Sequence, residues 1–161
     1  MLVMKLPKLY AATTTALTLF AIGCLVILFV YVPMWQNSEP AFFINWFAAN
    51  GKAIGMVMLP LEMAPLMLSL VTLVKFRKLN PQGDTFFLLA NTCNFIILVL
   101  FLVYFLPANA AFMDKSLPLV EVKEALAEWE VYHVIRTALA LLSAFFFGLA
   151  VYTNNCKVHM Q

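Results

Sequence analysis

A tryptophan, a histidine and an arginine are spaced so that one face of a helix would carry all three. They are Trp129, His133 and Arg136, and they lead into the apolar run that starts at Ala138. Residues at i, i+4 and i+7 lie on the same side of an α-helix. An indole can stack on a flat ring, an imidazole can transfer a proton, and a guanidinium can stabilise an oxyanion. A cation inside a bilayer is costly, so Arg136 should face protein or trapped water rather than lipid.

Each of these residues also has an interpretation without chemistry. Arg136 would then extend outward to the lipid headgroups, as long cationic side chains do near membrane surfaces. His133 would be an interfacial histidine with satisfied hydrogen bonds. Trp129 would anchor its helix at the headgroup level. The three residues therefore define a candidate site whose role depends on what else meets them.

The chain as a whole is too apolar for a water-soluble domain. Of its 161 residues, 64% are hydrophobic and 11% are charged. Ordinary globular domains are markedly less apolar and more charged. We expect one integral membrane domain over residues 1–161, with the lipid bilayer as its partner and no nucleic-acid partner. The composition does not specify an oligomeric state.

Four apolar runs are each long enough to cross a bilayer as a helix, which takes about 20 residues. They cover about 10–33, 53–74, 85–107 and 131–153. The first is too long for a typical signal peptide, so we expect it to be retained. The predicted fold is all-α, a four-helix transmembrane bundle. Residues 34–52, rich in aromatic side chains, are expected to form an outer loop that lies at the headgroups or folds over the mouth of the bundle.

An amphipathic outer extension is predicted for the fourth helix. Pro118 can open a helix at its first position. Apolar and site residues then recur at intervals of three and four, which indicates one long helix with a continuous inward stripe. The stripe consists of Leu119, Val122, Leu126, Trp129, His133, Arg136 and Ala140.

The second apolar run contains a single acid, Glu62, on one helical face with Gly51 and Gly55. The glycine pair reads as G-x-x-x-G, which permits close helix contact. Pro60 and Pro65 should kink or locally break the helix around Glu62. Two interpretations of Glu62 remain open. It forms an ion pair with Arg136, or it is protonated and bonded to backbone groups released by the prolines.

The charge distribution predicts the topology. The termini and the loop at 75–84 hold most of the cations, whereas the segments at 34–52 and 113–130 hold most of the acids. By the positive-inside rule, both termini and that loop are cytoplasmic in a multi-pass protein of a plasma or inner membrane. Trp46, Asn109 and the Trp129 stripe then lie towards the outer side. Glu62 lies nine residues into its helix, roughly 14 Å deep at the helical rise, within reach of Arg136.

Metal and cofactor chemistry is not indicated. Cys24, Cys93 and Cys156 are far apart in the sequence and form no C-x-x-C motif. One usable histidine, with His159 set aside in the tail, and one buried carboxylate do not make a familiar metal site. We expect neither metal nor cofactor. The Met residues at 56, 58, 63 and 67 are interpreted as core filling. Asn91 and Asn94 join helices or contact a ligand, and joining helices is the commoner role.

Two short motifs resemble the DUF1772 family of four-helix membrane proteins, which includes the anthrone oxygenases of fungi. Leu106-Pro107-Ala108-Asn109 is similar to the family's Pro-x-Asn at the end of helix three. Trp129-x-x-x-His133-x-x-Arg136-Thr137 is similar to its Trp-x-x-x-His/Asn-x-x-Arg-Thr at the start of helix four. The length and the four-span layout also agree. Glu62 with its flanking prolines has no counterpart in the family pattern.

The resemblance implies a cofactor-independent oxygenation of a polyketide anthrone to a quinone. More broadly, we expect an oxygenase or oxidoreductase that acts on a flat, lipophilic aromatic or quinone-like compound at the outer side of the membrane. In that chemistry His133 would be the base, Arg136 the electrostatic partner and Asn109 a hydrogen-bond donor. Trp129 and Trp46 would stack on the substrate ring. Glu62 is a further candidate substrate-binding residue because its depth puts it within reach of Arg136, and not because of the resemblance. The alternative is a non-enzymatic membrane subunit or small transporter element in which Glu62 and Arg136 form a structural pair.

Overall fold

Four long helices form the part of the chain that the structure, a computed structural model, describes. It covers the backbone of residues 6–79 and 85–158 and the side chains of 6–77 and 85–154. The helices are α1 (Leu6–Gln36), α2 (Pro40–Leu79), α3 (Thr85–Met113) and α4 (Val122–Val158). Each contains a predicted span and is long and apolar enough to cross a membrane. The predicted all-α four-helix membrane bundle is confirmed. The turn expected after residue 79, Lys5 and His159 lie outside the described residues.

The helices pack in a ring in the order α1, α2, α3, α4, with α4 closing back on α1. Large apolar side chains fill the interior, and Phe20, Phe87 and Phe147 are almost completely buried. Side chains exposed on the outside are also largely apolar, such as Phe29 at 71% and Val103 at 73%. Exposure of large apolar side chains to water would be unfavourable, so these surfaces suit lipid contact.

The inward stripe of α4 is confirmed, except at its start. Apart from Thr137, which is also buried, the buried positions alternate at intervals of four and three, the period of a left-handed helix bundle. They are Val122, Leu126, Trp129, His133, Arg136, Ala140, Ser143, Phe147 and Ala150. The predicted helix start at Pro118 is wrong. The Glu121 N–H bonds the Pro118 carbonyl in a turn, Leu119 is 53% exposed, and the helix begins at Val122.

The outer loop predicted at residues 34–52 is wrong, because most of this segment is helical. α1 continues to Gln36 and α2 already begins at Pro40. Phe43 and Phe47, one turn apart, are buried against Trp35 and Phe112 with ring centroids 5.1–5.7 Å apart. The aromatic content that suggested a headgroup-level loop therefore extends the helical core.

α1 and α3 each contain one π-helical segment, and each segment stands directly before an x-Pro pair. The segments are Ile27–Tyr31 before Val32-Pro33 and Phe101–Phe105 before Leu106-Pro107. Proline lacks an N–H and clashes with the carbonyl four residues earlier, and a wider turn accommodates both defects. Such wide turns occur often at functional sites, and both segments here border the candidate site.

α2 runs unbroken through Pro60 and Pro65, so of the two predicted effects, a kink or a local break, the local break is wrong. Prolines are tolerated within membrane helices because local adjustments and neighbouring groups satisfy the released carbonyls. Glu62 is therefore carried on a continuous helix, with 4% of its surface exposed.

Asn91 and Asn94 join three helices. Asn94 donates to the Ser69 hydroxyl of α2 at 3.1 Å and accepts from the Ser143 hydroxyl of α4 at 3.0 Å. Asn91 accepts from the same Ser69 hydroxyl and donates to the Phe87 carbonyl. The helix-joining interpretation of both asparagines is confirmed, and each interhelical bond adds about 1 kcal/mol or less.

Candidate functional site

The guanidinium of Arg136 lies at the centre of a set of buried partners. Its Nη1 is 3.8 Å from Oε2 of Glu62, and its Nη2 is 3.0 Å from Nδ1 of His133. Its central carbon lies 4.2 Å from the centroid of the Phe105 ring, a cation–π arrangement. Arg136 is 5% exposed, so it does not extend to the headgroups. The ion pair with Glu62, predicted as one of two interpretations, is present and crosses the bundle between α2 and α4.

His133 is completely buried, and both of its ring nitrogens are engaged. Because arginine can only donate, Nδ1 accepts the hydrogen bond from Arg136. The ring proton is then on Nε2, which donates to the Cys24 carbonyl of α1 at 3.0 Å. The imidazole also stacks on Trp129, with centroids 4.9 Å apart and planes at 20°. His133 thus connects α1 to the arginine and leaves no ring nitrogen free.

Trp129 and Asn109 are joined by a hydrogen bond. The indole Nε1 donates to Oδ1 of Asn109 at 2.9 Å. Because the amide oxygen accepts this bond, the side-chain NH2 of Asn109 keeps its donor capacity. The two motifs that were separate in the sequence, at the ends of α3 and α4, therefore form one contact.

A cavity of about 400 Å³ adjoins these residues, and we call it the polar cavity. Four of the six predicted site residues border it: Glu62, Asn109, Trp129 and Arg136. His133 stands behind Arg136 and does not border it, and Trp46 borders a different cavity. Apart from the cationic Lys52, the remaining walls are mainly apolar and come from α1, α2 and α3. They include Ile27, Trp35, Phe47, Ile54, Met58, Leu59, Phe101, Leu106 and Met113.

Three buried side-chain polar atoms lack a hydrogen-bond partner among the described residues, and all three belong to residues that border the polar cavity. They are Nε1 of Trp35, Oε1 of Glu62 and Nε of Arg136. A buried polar atom without a partner typically costs about 1–3 kcal/mol, so such atoms are rare in folded proteins. Their concentration in residues that border one cavity marks this cavity as the candidate site.

The two glycines of α2 have different surroundings. A Cβ at Gly51 would lie 2.8 Å from the Phe47 ring and 3.2 Å from Met113, so close side-chain packing requires glycine there. A Cβ at Gly55 would meet no atom within 4 Å, and Gly55 borders the polar cavity. Of the pair, Gly51 is thus packed against side chains of α2 and α3, whereas Gly55 makes no close contact and leaves space beside the cavity.

A second cavity of about 410 Å³, which we call the side cavity, lies between α1 and α2. Trp46 borders this cavity rather than the polar one. Its lining contains no charged side chain, and its polar groups are those of Tyr31, Trp46 and Asn50, towards the turn that joins α1 to α2. Gly23, Val26, Ile27, Ala53, Ile54, Val57, Met58 and Leu61 complete the lining.

Sequence reasoning missed Trp35, Phe105 and the backbone of Cys24. Trp35 is 1% exposed because the π-helical turn adds a residue, so that Trp35 rather than Met34 faces inward. The signal available in the sequence was the x-Pro pair, Val32-Pro33, just before it. Phe105 stands in the equivalent place before Leu106-Pro107.

Among the described residues, no three of His, Cys, Asp and Glu come together in a way that could hold a metal ion. No family model matches the chain, and neither the curated proteins nor the solved structures include a significant match. The resemblance to the DUF1772 family accordingly rests on the two motifs quoted above, whose Trp129 and Asn109 are in contact.

Proposed function

We propose that this protein is a membrane oxidoreductase or oxygenase that acts on a flat, lipophilic aromatic or quinone-like compound in the polar cavity. The observation that carries the proposal is the group of unpartnered polar atoms around that cavity. The N–H groups of Trp35 and Arg136 and the carboxylate oxygen of Glu62 match a ring that carries both carbonyl and hydroxyl oxygens. The apolar and aromatic walls match the ring itself.

A cavity of about 400 Å³ suits a ligand of two or three fused rings. In our proposal the substrate carbonyl accepts from Nε of Arg136 and from the Asn109 amide. A substrate hydroxyl, or an acidic C–H in its place, faces Oε1 of Glu62. Trp129 and Trp35 lie along the ring. Trp46 then contributes to the side cavity rather than to stacking on the reacting ring.

The reaction proceeds in two stages on an anthrone-like substrate. The Glu62 carboxylate removes the proton from the carbon opposite the carbonyl, and Arg136 stabilises the enolate oxygen that results. The carbanion then transfers electrons to dioxygen, a carbon–oxygen bond forms, and the resulting peroxide anion takes back the proton from Glu62 to give a hydroperoxide. Loss of water from the hydroperoxide gives the second carbonyl. One dioxygen is consumed and one water is released for each quinone formed.

His133 acts as a positioning residue in this scheme. The base role that the resemblance implied for His133 needs a free ring nitrogen, and both nitrogens are engaged. Holding Arg136 in place between Glu62 and Phe105 is the task that its contacts suit. The unpaired oxygen of Glu62 is the better-placed base.

We infer that the site opens on the outer side of a plasma or inner membrane, with both termini cytoplasmic. The acid-rich turns lie together at one end of the bundle, where Lys115 bonds Asn45 and Lys123 bonds the carbonyls of Gln36 and Ser38. The positive-inside rule assigns the opposite end to the cytoplasm. Labelling of a single cysteine at Asn37 by an impermeant maleimide in intact cells, in a background without native cysteines, tests the orientation.

Turnover of dithranol, a dihydroxyanthrone, tests the proposed activity. Protein in nanodiscs is supplied with dithranol in air, and dioxygen uptake and formation of the anthraquinone are followed together. We expect uptake and product in equal amounts, above the spontaneous oxidation in empty nanodiscs. Glu62→Gln should reduce the rate of dithranol oxidation to the spontaneous level. Glu128→Gln, which changes an exposed glutamate of α4, is the matched control and should leave the rate unchanged.

A second candidate function is structural, since the ion pair, the cation–π contact and the His133 bond together also lock α2, α3 and α4 around Arg136. On that account the protein is a membrane subunit or transporter element. Equal dithranol oxidation by wild type and Glu62→Gln, with both proteins folded, would favour this candidate over the enzyme.

A further inference from the structure

The polar and side cavities are neighbours that share three lining residues. Ile27 of α1 and Ile54 and Met58 of α2 border both cavities. Met58 is unbranched and has three rotatable bonds, so its side chain can change conformation at low energetic cost. It packs closely over α1, because a Cβ at Gly23 would lie 3.1 Å from its sulfur. Met58 also stands one helical turn from Glu62. A chain-like group could therefore pass from the acid to the side cavity across Met58.

The side cavity is long and apolar. Its lining on α2 extends from Trp46 to Leu61, roughly 22 Å at the helical rise. Val57 is 61% exposed and Val26 is 44% exposed, so the cavity also faces the surroundings of the bundle between α1 and α2. Tyr31, Trp46 and Asn50 border its outer part, where amphipathic side chains suit the headgroup region. A cavity of this shape fits an alkyl or isoprenoid chain better than a fused ring.

We propose that the side cavity holds the apolar tail of the substrate, so that the substrate is a ring lipid rather than a bare ring. The keto- or hydroxy-substituted ring lies in the polar cavity against Glu62 and Arg136. The tail crosses Met58 and extends between α1 and α2 towards the outer leaflet. This inference rests on the proposed function, because it requires the ring to occupy the polar cavity.

The test compares two probes and two matched variants in nanodiscs. The probes are menadione, a naphthoquinone without a long tail, and the same quinone with a decyl chain. Val57→Phe places a ring in the side cavity, and Val71→Phe makes the same change at an exposed position of α2 that borders neither cavity. Binding of radiolabelled probe is measured at equilibrium, and the amount bound by empty nanodiscs is subtracted. Affinity is expressed per mole fraction of probe in the lipid, so that the two probes are compared at equal membrane concentration.

We expect Val57→Phe to weaken binding of the decyl probe by about tenfold, the usual scale for forcing a group into occupied space. The affinity for menadione should stay within about twofold of that of wild type. Val71→Phe should change neither. Ala53→Phe, one turn away in the same cavity, should repeat the Val57→Phe pattern.

The outcomes separate the two proposals. If wild type binds menadione but both cavity variants leave the decyl probe unaffected, the tail site is overturned and the proposed function stands. If the cavity variants weaken both probes equally, the side cavity receives the ring and the tail site is again overturned. If wild type binds neither probe, the proposed function fails and this inference fails with it.

Discussion

Arg136 donates a hydrogen bond from Nη2 to Nδ1 of His133 across 3.0 Å, within one turn of the same helix. In this bond the neutral imidazole is the acceptor, and its Nε2–H donates a hydrogen bond to the Cys24 carbonyl. The histidine of the Trp129–His133–Arg136 stripe is therefore bound on both sides. The arginine, in contrast, keeps one N–H unpaired beside the polar cavity.

Substitution of His133 by asparagine distinguishes a positioning residue from a base. An asparagine side chain can still accept from Arg136 through its amide oxygen, but it cannot take up a proton in this role. We expect His133→Asn to retain a measurable part of dithranol oxidation and His133→Leu to lose it, with unchanged pH dependence in His133→Asn. Loss of activity in His133→Asn as complete as in Glu62→Gln, in a folded protein, would contradict the positioning role.

Removal of one charge from the Glu62–Arg136 pair should destabilise the bundle more than removal of both. An uncompensated buried charge typically costs about 3–5 kcal/mol, whereas replacing the whole pair can be neutral. We expect Arg136→Met alone to lower the unfolding midpoint in mixed micelles. The double variant Glu62→Gln/Arg136→Met should recover most of that loss and remain inactive with dithranol. Activity of the double variant near that of wild type would support the structural candidate.

A leucine at Gly55 should fill the polar cavity without disturbing the fold. A Cβ there meets no atom within 4 Å, and the same holds at Gly148, which borders none of the described cavities. We therefore expect Gly55→Leu and Gly148→Leu to have similar thermal stability and Gly55→Leu alone to lose menadione binding. Equal binding in both variants would show that the ligand does not occupy the space beside Gly55.

The asparagine network should matter for stability but not for chemistry. Asn94→Leu removes the bonds to Ser69 and Ser143, which leaves two buried hydroxyls with fewer partners. We expect a loss of about 1–2 kcal/mol in the free energy of unfolding, measured by titration with denaturing detergent. The dithranol rate per folded protein should be unchanged. A changed rate at equal folded fraction would place Asn94 in the site.

Much of the fold was predictable because the bilayer imposes long apolar runs. The stripe from Val122 to Ala140 followed from spacing alone, and the depth of Glu62 and Arg136 indicated that they could meet. The register of the helix ends was not predictable in the same way. The π-helical turns before Pro33 and Pro107 shift the inward face by a residue, which moved Trp35 into the site. The aromatic residues of 34–52 were compatible with a loop at the headgroups and with a helical core. In the structure Phe43 and Phe47 pack against Phe112, so the segment belongs to the core.

The sequence allowed most residues of the candidate site to be predicted, but not the role of each residue. Spacing put His133 on the same face as Arg136, but it could not show that Cys24 of α1 occupies the far side of the imidazole. Likewise, the sequence grouped Trp46 with Trp129 by side of the membrane, whereas α2 directs Trp46 into the side cavity. Contacts between distant segments set these roles.

Binding of danthron, the stable quinone product of dithranol, tests the central claim most directly because it does not depend on turnover. Equilibrium binding to the protein in nanodiscs is compared among wild type, Arg136→Met, Glu62→Gln/Arg136→Met and the control Glu128→Gln. We expect wild type to bind danthron saturably at one site and Glu128→Gln to bind it equally well. Both Arg136 variants should bind it about tenfold or more weakly, because a charge-assisted hydrogen bond is lost. Binding that is absent in wild type, or equal in all four proteins, would contradict the claim that the polar cavity is a ligand site.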